Sequence, residues 1–322
     1  MSDRSTTTNA RPGGTGPLAG RSVARIGYGA MQLERHHDDP AVGVAVLRRA
    51  LELGVDHIDT AQFYGNGFVN DLIRQAIPAD SDVFIASKVG AAPDPDGPFP
   101  MRPAQQPAEL RTAVEDNLRA LGRDSIALVN LRRLEIGPGL AAHGDQIVDV
   151  DDQLAEMIAL RDEGKIGAIG ISAVTVDTIR RALPAGIACV QNPYSLLDRR
   201  FENALELCAA EQVSWVPYFP LGSAFPGIPK VTEAPEVIAA SKAAGVSPAQ
   251  IGLAWLLGHA DNTLLIPGTG DIAHLETNLA VGGIELDAAT TAALDAVGAA
   301  TTTVPIAPPS WPGDADVTTG RS

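Results

Sequence analysis

Basic residues are scarce in this chain: 24 Lys and Arg stand against 39 Asp and Glu, a formal net charge of −15. Nucleic acids and anionic membrane surfaces are gripped by concentrated Lys and Arg, so neither is expected as a partner. Cysteine is nearly absent. Cys189 and Cys208 form no CxxC pair and lie in apolar segments, which leaves no metal site or disulfide framework to build and marks both as reduced core residues. No uninterrupted apolar run of about 18 residues occurs, and the opening MSDRSTTTNARPGGTG has no apolar signal core, so a cytoplasmic location is expected. His36-His37-Asp38-Asp39 is the one run of metal-ligand residues. It has no second cluster to complete a site, so it reads as a solvated loop and no metal is expected.

What is present is an ordinary globular mixture, with 45% hydrophobic and 20% charged residues. Short apolar runs alternate with amphipathic stretches: ARIGYGAM then AVGVAVLRRALELG, DHIDTA then FVNDLIRQAI, DVFIASKV then PAELRTAVEDNLRALG. SIALVNLR, IGAIGISA, ACVQNPYS, SWVPYFP and TLLIPGT continue the series, most of them followed by a helix pattern. Gly54, Gly122 and Gly164 stand where helices would close. Eight strand candidates in parallel β/α alternation predict a single (β/α)8 TIM barrel over residues 20–300. Residues 1–19 and 301–322, rich in Thr, Pro and Gly and without periodicity, read as flexible tails. The rival is an open dinucleotide-binding sheet with G-x-G-x-x-G after its first strand. Gly27-Tyr28-Gly29-Ala30-Met31-Gln32 lacks the third glycine.

Barrel chemistry sits at the C-terminal ends of the strands, and polar residues gather there: Asp59, Lys88, Arg132, Ser172, Gln191 with Asn192, and Tyr218. Gly54-Val55-Asp56-His57-Ile58-Asp59-Thr60-Ala61-Gln62-Phe63-Tyr64-Gly65 resembles the aldo-keto reductase signature, an Asp-Thr-Ala strand end followed by the catalytic tyrosine. Ile85-Ala86-Ser87-Lys88 is similar to the family's third strand, Val216-Pro217-Tyr218-Phe219-Pro220-Leu221-Gly222 to its seventh, and Ile266 to Asn278 to its cofactor-binding segment. The likeness spans roughly residues 20 to 300 and is greatest to the bacterial pyridoxal reductase branch, through GYGAMQL, VNLR, FPLG and LLIPGT.

The resemblance implies an NADP-dependent oxidoreductase acting on a small-molecule carbonyl substrate, pyridoxal among the candidates. Carbonyl reduction needs a hydride at carbon and a proton at oxygen, and Tyr64 is the expected proton donor. A tyrosine ordinarily titrates near pH 10, and a neighbouring cation, here Lys88, lowers that value by favouring the phenolate. Asp59 would hold Lys88 in position. Each residue alone has an ordinary reading: Asp59 as a helix cap, Tyr64 as a packing aromatic, Lys88 as a solvated charge. Their joint order at successive strand ends favours catalysis.

One member of the family's tetrad is missing. The fourth strand usually ends in a histidine that hydrogen-bonds the substrate carbonyl, and Ile126-Ala127-Leu128-Val129-Asn130-Leu131-Arg132 puts Arg132 there. A guanidinium donates but never accepts, and a second cation suits a substrate with an anionic oxygen beside its carbonyl. The alternative is that Arg132 turns away to pair with Glu135 or another carboxylate.

The resemblance also implies cofactor contacts at Gly29, Ser172, Gln191, Tyr218, Leu221, Gly222, Gly268, Thr269, His274 and Asn278. Ala173 stands where the family usually has Asn. Gly268, Thr269 and His274 replace its Lys, Ser and Arg around the 2′-phosphate, with backbone N–H groups at the helix start left to bind it. Two competing readings are a cofactor-binding regulatory subunit with little turnover, favoured by Arg132 and Ala173, and a barrel hydrolase or isomerase without nicotinamide, which would need paired carboxylates or a metal cluster.

Overall fold

The computed structural model describes residues 10–94, 96–97, 100–136, 140–223 and 228–301. Trp311 and the remainder of the expected C-terminal tail lie outside them.

Strands β1 (Thr15–Leu18) and β2 (Arg21–Ala24) form an antiparallel hairpin. Seven parallel strands follow, interrupted by a second hairpin. They are β3 (Tyr28–Gly29), β4 (His57–Asp59), β5 (Phe84–Val89), then the hairpin β6 (Ala91–Pro93) and β7 (Met101–Pro103), and β8 (Leu128–Arg132), β9 (Ile169–Ser172), β10 (Cys189–Gln191) and β11 (Ser214–Trp215). The sheet runs β3-β4-β5-β8-β9-β10-β11. Residues 263–266 close it as an eighth strand. Leu264 N–H donates to Trp215 O at 2.8 Å on one side, and Leu265 N–H to Arg25 O and Gly27 N–H to Leu265 O, both at 2.8 Å, on the other. The result is a (β/α)8 barrel.

Strand alternation divides the apolar residues into two layers. Phe84, Ala86, Leu128, Cys189, Val216 and Leu264 fill the barrel, while Ile58, Ile85, Val129, Ile169, Ile171 and Val190 face the helices. Those helices are α1 (Pro40–Glu52), α2 (Phe68–Ala76), α3 (Pro107–Leu121), α4 (Val150–Asp162), α5 (Val176–Ala182), α6 (Glu202–Ala210), α7 (Pro235–Ala244), α8 (Pro248–His259), α9 (Ile272–Leu279) and α10 (Ala288–Thr301). Their boundaries follow local chemistry. Proline opens α1, α3, α7 and α8, where its missing N–H costs nothing, and the side chains of Asp149, Thr175, Ser247 and Asp271 cap helix N-termini. At the other end of α3, Gly122 takes the left-handed conformation at φ 63°.

Two expectations are corrected. Residues 15–18 are ordered strand rather than tail: Ala19 and Gly20 make a left-handed turn (φ 49° and 76°), and Leu18 and Val23 pack into the barrel-interior cluster. Four-residue strands are too short to show a periodicity, which is why the segment reads as loose. Between Tyr218 and residue 263, moreover, stand α7 and α8, which the strand–helix pattern does not reveal. Residues 251–257 of α8 are all buried, so the helix has no polar face from which a 3.6-residue period could be read. Among the described residues no helix is long and apolar enough to cross a membrane, and no cluster of metal-ligating side chains occurs.

Candidate active site

Parallel register brings the expected residues to one end of the barrel. Gly29, Asp59 and Ala86 lie abreast, Lys88 stands opposite Asn130, and Arg132, Ser172 and Gln191 form the next row. Asp59 is 3% exposed and Lys88 8%, so a charged pair is held in the interior and each partner needs the other. Lys88 Nζ donates to Oδ1 of Asp59 and, at 3.1 Å, to the carbonyl of Thr60. Gln191 Nε2 donates to the other carboxylate oxygen of Asp59 at 2.7 Å. The resemblance, which assigns Gln191 to the cofactor, does not imply this contact.

Tyr64 follows β4 in a turn that no regular structure supplies. Gly65, Asn66 and Gly67 are all left-handed, at φ 57°, 52° and 87°, before α2 begins at Phe68; two glycines and an asparagine are the residues that adopt this cheaply. The Gly65 N–H is held by Glu34 Oε1 at 3.0 Å. Lys88 Nζ lies 5.0 Å from the centroid of the Tyr64 ring. Burial pushes the phenol above its ordinary pKa, and the charges of Lys88 and Arg132 pull it back only in part. The expected lowering therefore does not prevail, because desolvation penalises the phenolate more than the two cations favour it. On Lys88 burial acts downward, but Asp59 and Tyr64 together carry the ammonium above its usual value, so it stays charged.

Arg132 does not pair with Glu135. Its Nη1 approaches the sulfur of Met101 at 3.4 Å and its guanidinium lies 5.7 Å from the Phe63 ring centroid, with no carboxylate partner among the described residues. Arg133 takes Glu135 at 2.5 Å instead. The Arg132 charge lowers both Tyr64 and Tyr218, whose phenol burial otherwise raises. Gln105, 2% exposed, holds the Arg132 carbonyl from Nε2 at 2.8 Å and is itself held by Gln153 Nε2 at 2.7 Å. Ala61, Phe63, Tyr64, Ala91, Met101 and Leu140 form an apolar wall beside this cation. Met101 is carried there by the β6–β7 hairpin.

On the remaining strands, Ser172 ends β9 and Ala173 is left-handed at φ 54°. Asn192 is fully buried and clamps the backbone of Val174, accepting from its N–H at 3.1 Å and donating to its carbonyl at 2.8 Å. Tyr218 packs edge-on against Phe219 at 5.0 Å, Leu221 O accepts from Val231 N–H, and Gly222 is dictated by Pro229, whose carbonyl lies 2.1 Å from where a Cβ would stand. Gly29 and Gly268 meet across the barrel seam. A Cβ on Gly29 would lie 2.5 Å from Ile266 O, and one on Gly268 2.7 Å from Gly29 O.

Beyond the seam, the N–H groups of Gly268, Thr269 and Gly270 donate to no acceptor among the described residues. The Thr269 hydroxyl accepts from Asp271 N–H at 3.1 Å in a buried turn, while His274 is exposed on α9 and Asn278 half-buried one turn on. His36, read as solvated loop, instead reaches this segment: its Nε2 lies 2.7 Å from Gly270 O, and Arg35 stands beside it with Cδ 3.2 Å from a Gly270 Cβ position. Residues 25–299 match the aldo/keto reductase family. The chain belongs to that family. This aldo/keto reductase is 38% identical over 292 residues to pyridoxine 4-dehydrogenase of Escherichia coli (strain K12), covering 87% of this chain and 96% of that protein. It is 29% identical to methylglyoxal reductase YeaE of the same organism, over 85% and 90% of the two chains. Among solved structures it resembles an aldo-keto reductase from Klebsiella pneumoniae in complex with NADPH, with a TM-score of 0.73 and 26% identity over 92% of this chain and 96% of that one.

Proposed function

We propose that this reductase converts an aromatic aldehyde with an anionic ring oxygen, of the pyridoxal type, to the alcohol, with Tyr64 as proton donor. The observation that carries the substrate class is Arg132: a cation with no carboxylate partner among the described residues, beside an apolar wall and acting on Tyr64. The kinship with pyridoxine 4-dehydrogenase supports the same class.

The cofactor is NADP(H), and the residues fit it. The N–H groups of Gly268 to Gly270, which donate to no acceptor among the described residues, suit a phosphate just ahead of α9, with Arg35 beside Gly270, and Tyr218 offers a ring face. Bound there, NADPH supplies the hydride. The chain's own residues do the rest. Tyr64 gives its hydroxyl proton to the carbonyl oxygen as negative charge grows on it. Lys88, kept charged by Asp59, steadies the phenolate that remains. Arg132 offers two parallel N–H donors, one to the developing alkoxide and one to the ring oxygen beside it. General acid catalysis of this kind is worth about 10²–10⁴ in rate.

The deciding measurement is NADPH consumption against a carbonyl panel. Pyridoxal should be turned over with a kcat/KM above that of benzaldehyde, an aromatic aldehyde that lacks the anionic ring oxygen. Equal values for the two would defeat the assigned substrate class, and no NADPH consumption with any carbonyl would favour the regulatory-subunit reading.

A further inference from the structure

Resting on that assignment of Tyr64 and Lys88, we propose that Asn70, on the outside of the barrel wall, is the positioning residue that fixes the geometry of the reacting pair. Asn70 is the third residue of α2 and is fully buried. Both hydrogens and the oxygen of its carboxamide are engaged. Oδ1 accepts from the Thr60 hydroxyl at 2.8 Å, and Nδ2 donates to Gln62 Oε1 at 2.8 Å and to Asn117 Oδ1 at 3.0 Å. Asn117, fully buried on α3, also accepts from the Ser87 hydroxyl at 2.5 Å and donates from Nδ2 to Ala113 O at 2.8 Å.

The places this chain of hydrogen bonds grips are the backbone neighbours of the chemistry. Thr60 follows Asp59, Ser87 precedes Lys88, and Gln62 is two residues before Tyr64. On strands whose side chains alternate, the residue beside an inward-pointing group points outward, so a network behind the wall can hold the group inside it without touching it. Thr60 does so twice, because its carbonyl is also the second acceptor of Lys88 Nζ. Gln62 in turn is wedged under the left-handed turn that follows Tyr64: a Cβ on Gly67 would stand 2.7 Å from Gln62 Nε2. One amide thus ties the Tyr64 turn, the Asp59 strand end and, through Asn117, the Lys88 strand into a single register. Leucine would fill the same volume without having to satisfy any polar group, so packing alone does not account for an asparagine here.

The test compares steady-state kinetics of Thr60→Val, which removes only the hydroxyl Asn70 accepts from, and Asn70→Leu, with Ser241→Ala as control. Ser241, on α7, donates a buried hydroxyl bond to Val246 O at 2.5 Å. Reacting groups misplaced by about 1 Å lose on the order of 10²-fold in rate, so kcat should fall about 10-fold to 100-fold in both test variants while the aldehyde KM stays near its native value. The alkaline limb of the kcat profile should move upward, because Lys88 is what draws Tyr64 down and its grip would loosen. Ser241→Ala should leave kcat and the limb in place. If both test variants keep the native limb and lose kcat only in proportion to the unfolded fraction seen by circular dichroism, Asn70 is structural and the inference is overturned. Failure of the underlying assignment looks different: Tyr64→Phe would then retain turnover.

Discussion

Gln191 and Asp59 are joined at 2.7 Å, and this bond leaves each carboxylate oxygen of Asp59 with its own donor from a separate strand. A buried carboxylate with two donors is fixed in both charge and direction, and Asp59 is what holds Lys88 toward Tyr64. Gln191→Met removes one donor at nearly constant volume. Losing a hydrogen bond to a charged group costs about 1.5–3 kcal/mol, so urea unfolding should show a loss of that size. With Lys88 less firmly held, kcat should fall about 10-fold. A changed NADPH affinity with unchanged kcat would return Gln191 to a pure cofactor role.

Tyr64→Phe deletes the reacting proton and almost nothing else. Turnover should drop about 10²-fold or more with NADPH binding retained, measured by steady-state reduction and by cofactor fluorescence. Lys88→Met should be impaired at least as severely, since it also strands Asp59 as an unpaired buried charge.

Acid–base behaviour follows from the direction of the Tyr64 shift. Burial raises its pKa, so the phenol stays protonated at higher pH than a free tyrosine. Reduction should hold steady through neutral pH and decline only above about pH 10, the ordinary tyrosine value. Arg132→Leu should push the limb higher still, because Arg132 is one of the two cations that lower the phenol. The stability sign is the same: a raised native pKa gives stabilisation that is complete below about pH 10 and disappears as pH climbs through the native value. Profiles of kcat/KM and of thermal midpoint between pH 7 and 11.5 check both statements.

How far these features could be read from sequence depends on whether a residue's role is local. Asp59, Lys88 and Arg132 were legible because each stands as a polar residue at the end of an apolar run, and their recurrence at successive strand ends fits a barrel mouth. Asn70, Asn117 and Gln105 were not, since each acts on other elements of the fold eight or more residues away, and nothing in the linear spacing pairs them. A signal did exist: Asn70 sits with Val69, Leu72 and Ile73 on the buried face of α2, where a polar residue requires partners. The direction of the Tyr64 pKa is hidden from the sequence for a related reason. Charge can be counted in a sequence, but desolvation depends on what covers the group.

Gly29 lies against the backbone of the eighth strand. A methyl group there would stand 2.5 Å from Ile266 O, backbone that cannot swing aside, so Gly29→Ala must displace the segment leading to Gly268 and Thr269. Overpacking of this kind costs about 1–3 kcal/mol, and here it falls on the cofactor loop. The NADPH dissociation constant should rise by about 10-fold while kcat at saturating cofactor stays close to native. Equilibrium titration separates this from a general loss of fold, which would lower the number of binding sites without changing their affinity.

Arg132 and Arg133 are adjacent, yet Arg133 is neutralised by Glu135 at 2.5 Å whereas Arg132, among the described residues, meets a thioether and an aromatic ring and no carboxylate. An unneutralised guanidinium facing an apolar wall discriminates between substrates rather than binding all carbonyls alike, because its attraction is strongest for a ligand that brings its own anion. Arg132→His should therefore hurt pyridoxal more than benzaldehyde. Removing a charge-assisted, two-pronged contact costs roughly 1.5–3 kcal/mol, which is about one to two powers of ten in kcat/KM for the anionic substrate. Benzaldehyde has no ring oxygen to lose, and a neutral imidazole can still donate one hydrogen bond to its carbonyl, so its kcat/KM should change by less than about 3-fold. The ratio of the two substrates is the quantity to measure, because a loss of folded protein scales both equally and leaves it unchanged. An unaltered ratio would reduce Arg132 to a general polariser of the carbonyl, and the choice of pyridoxal over other aldehydes would then have no support in the geometry of the site.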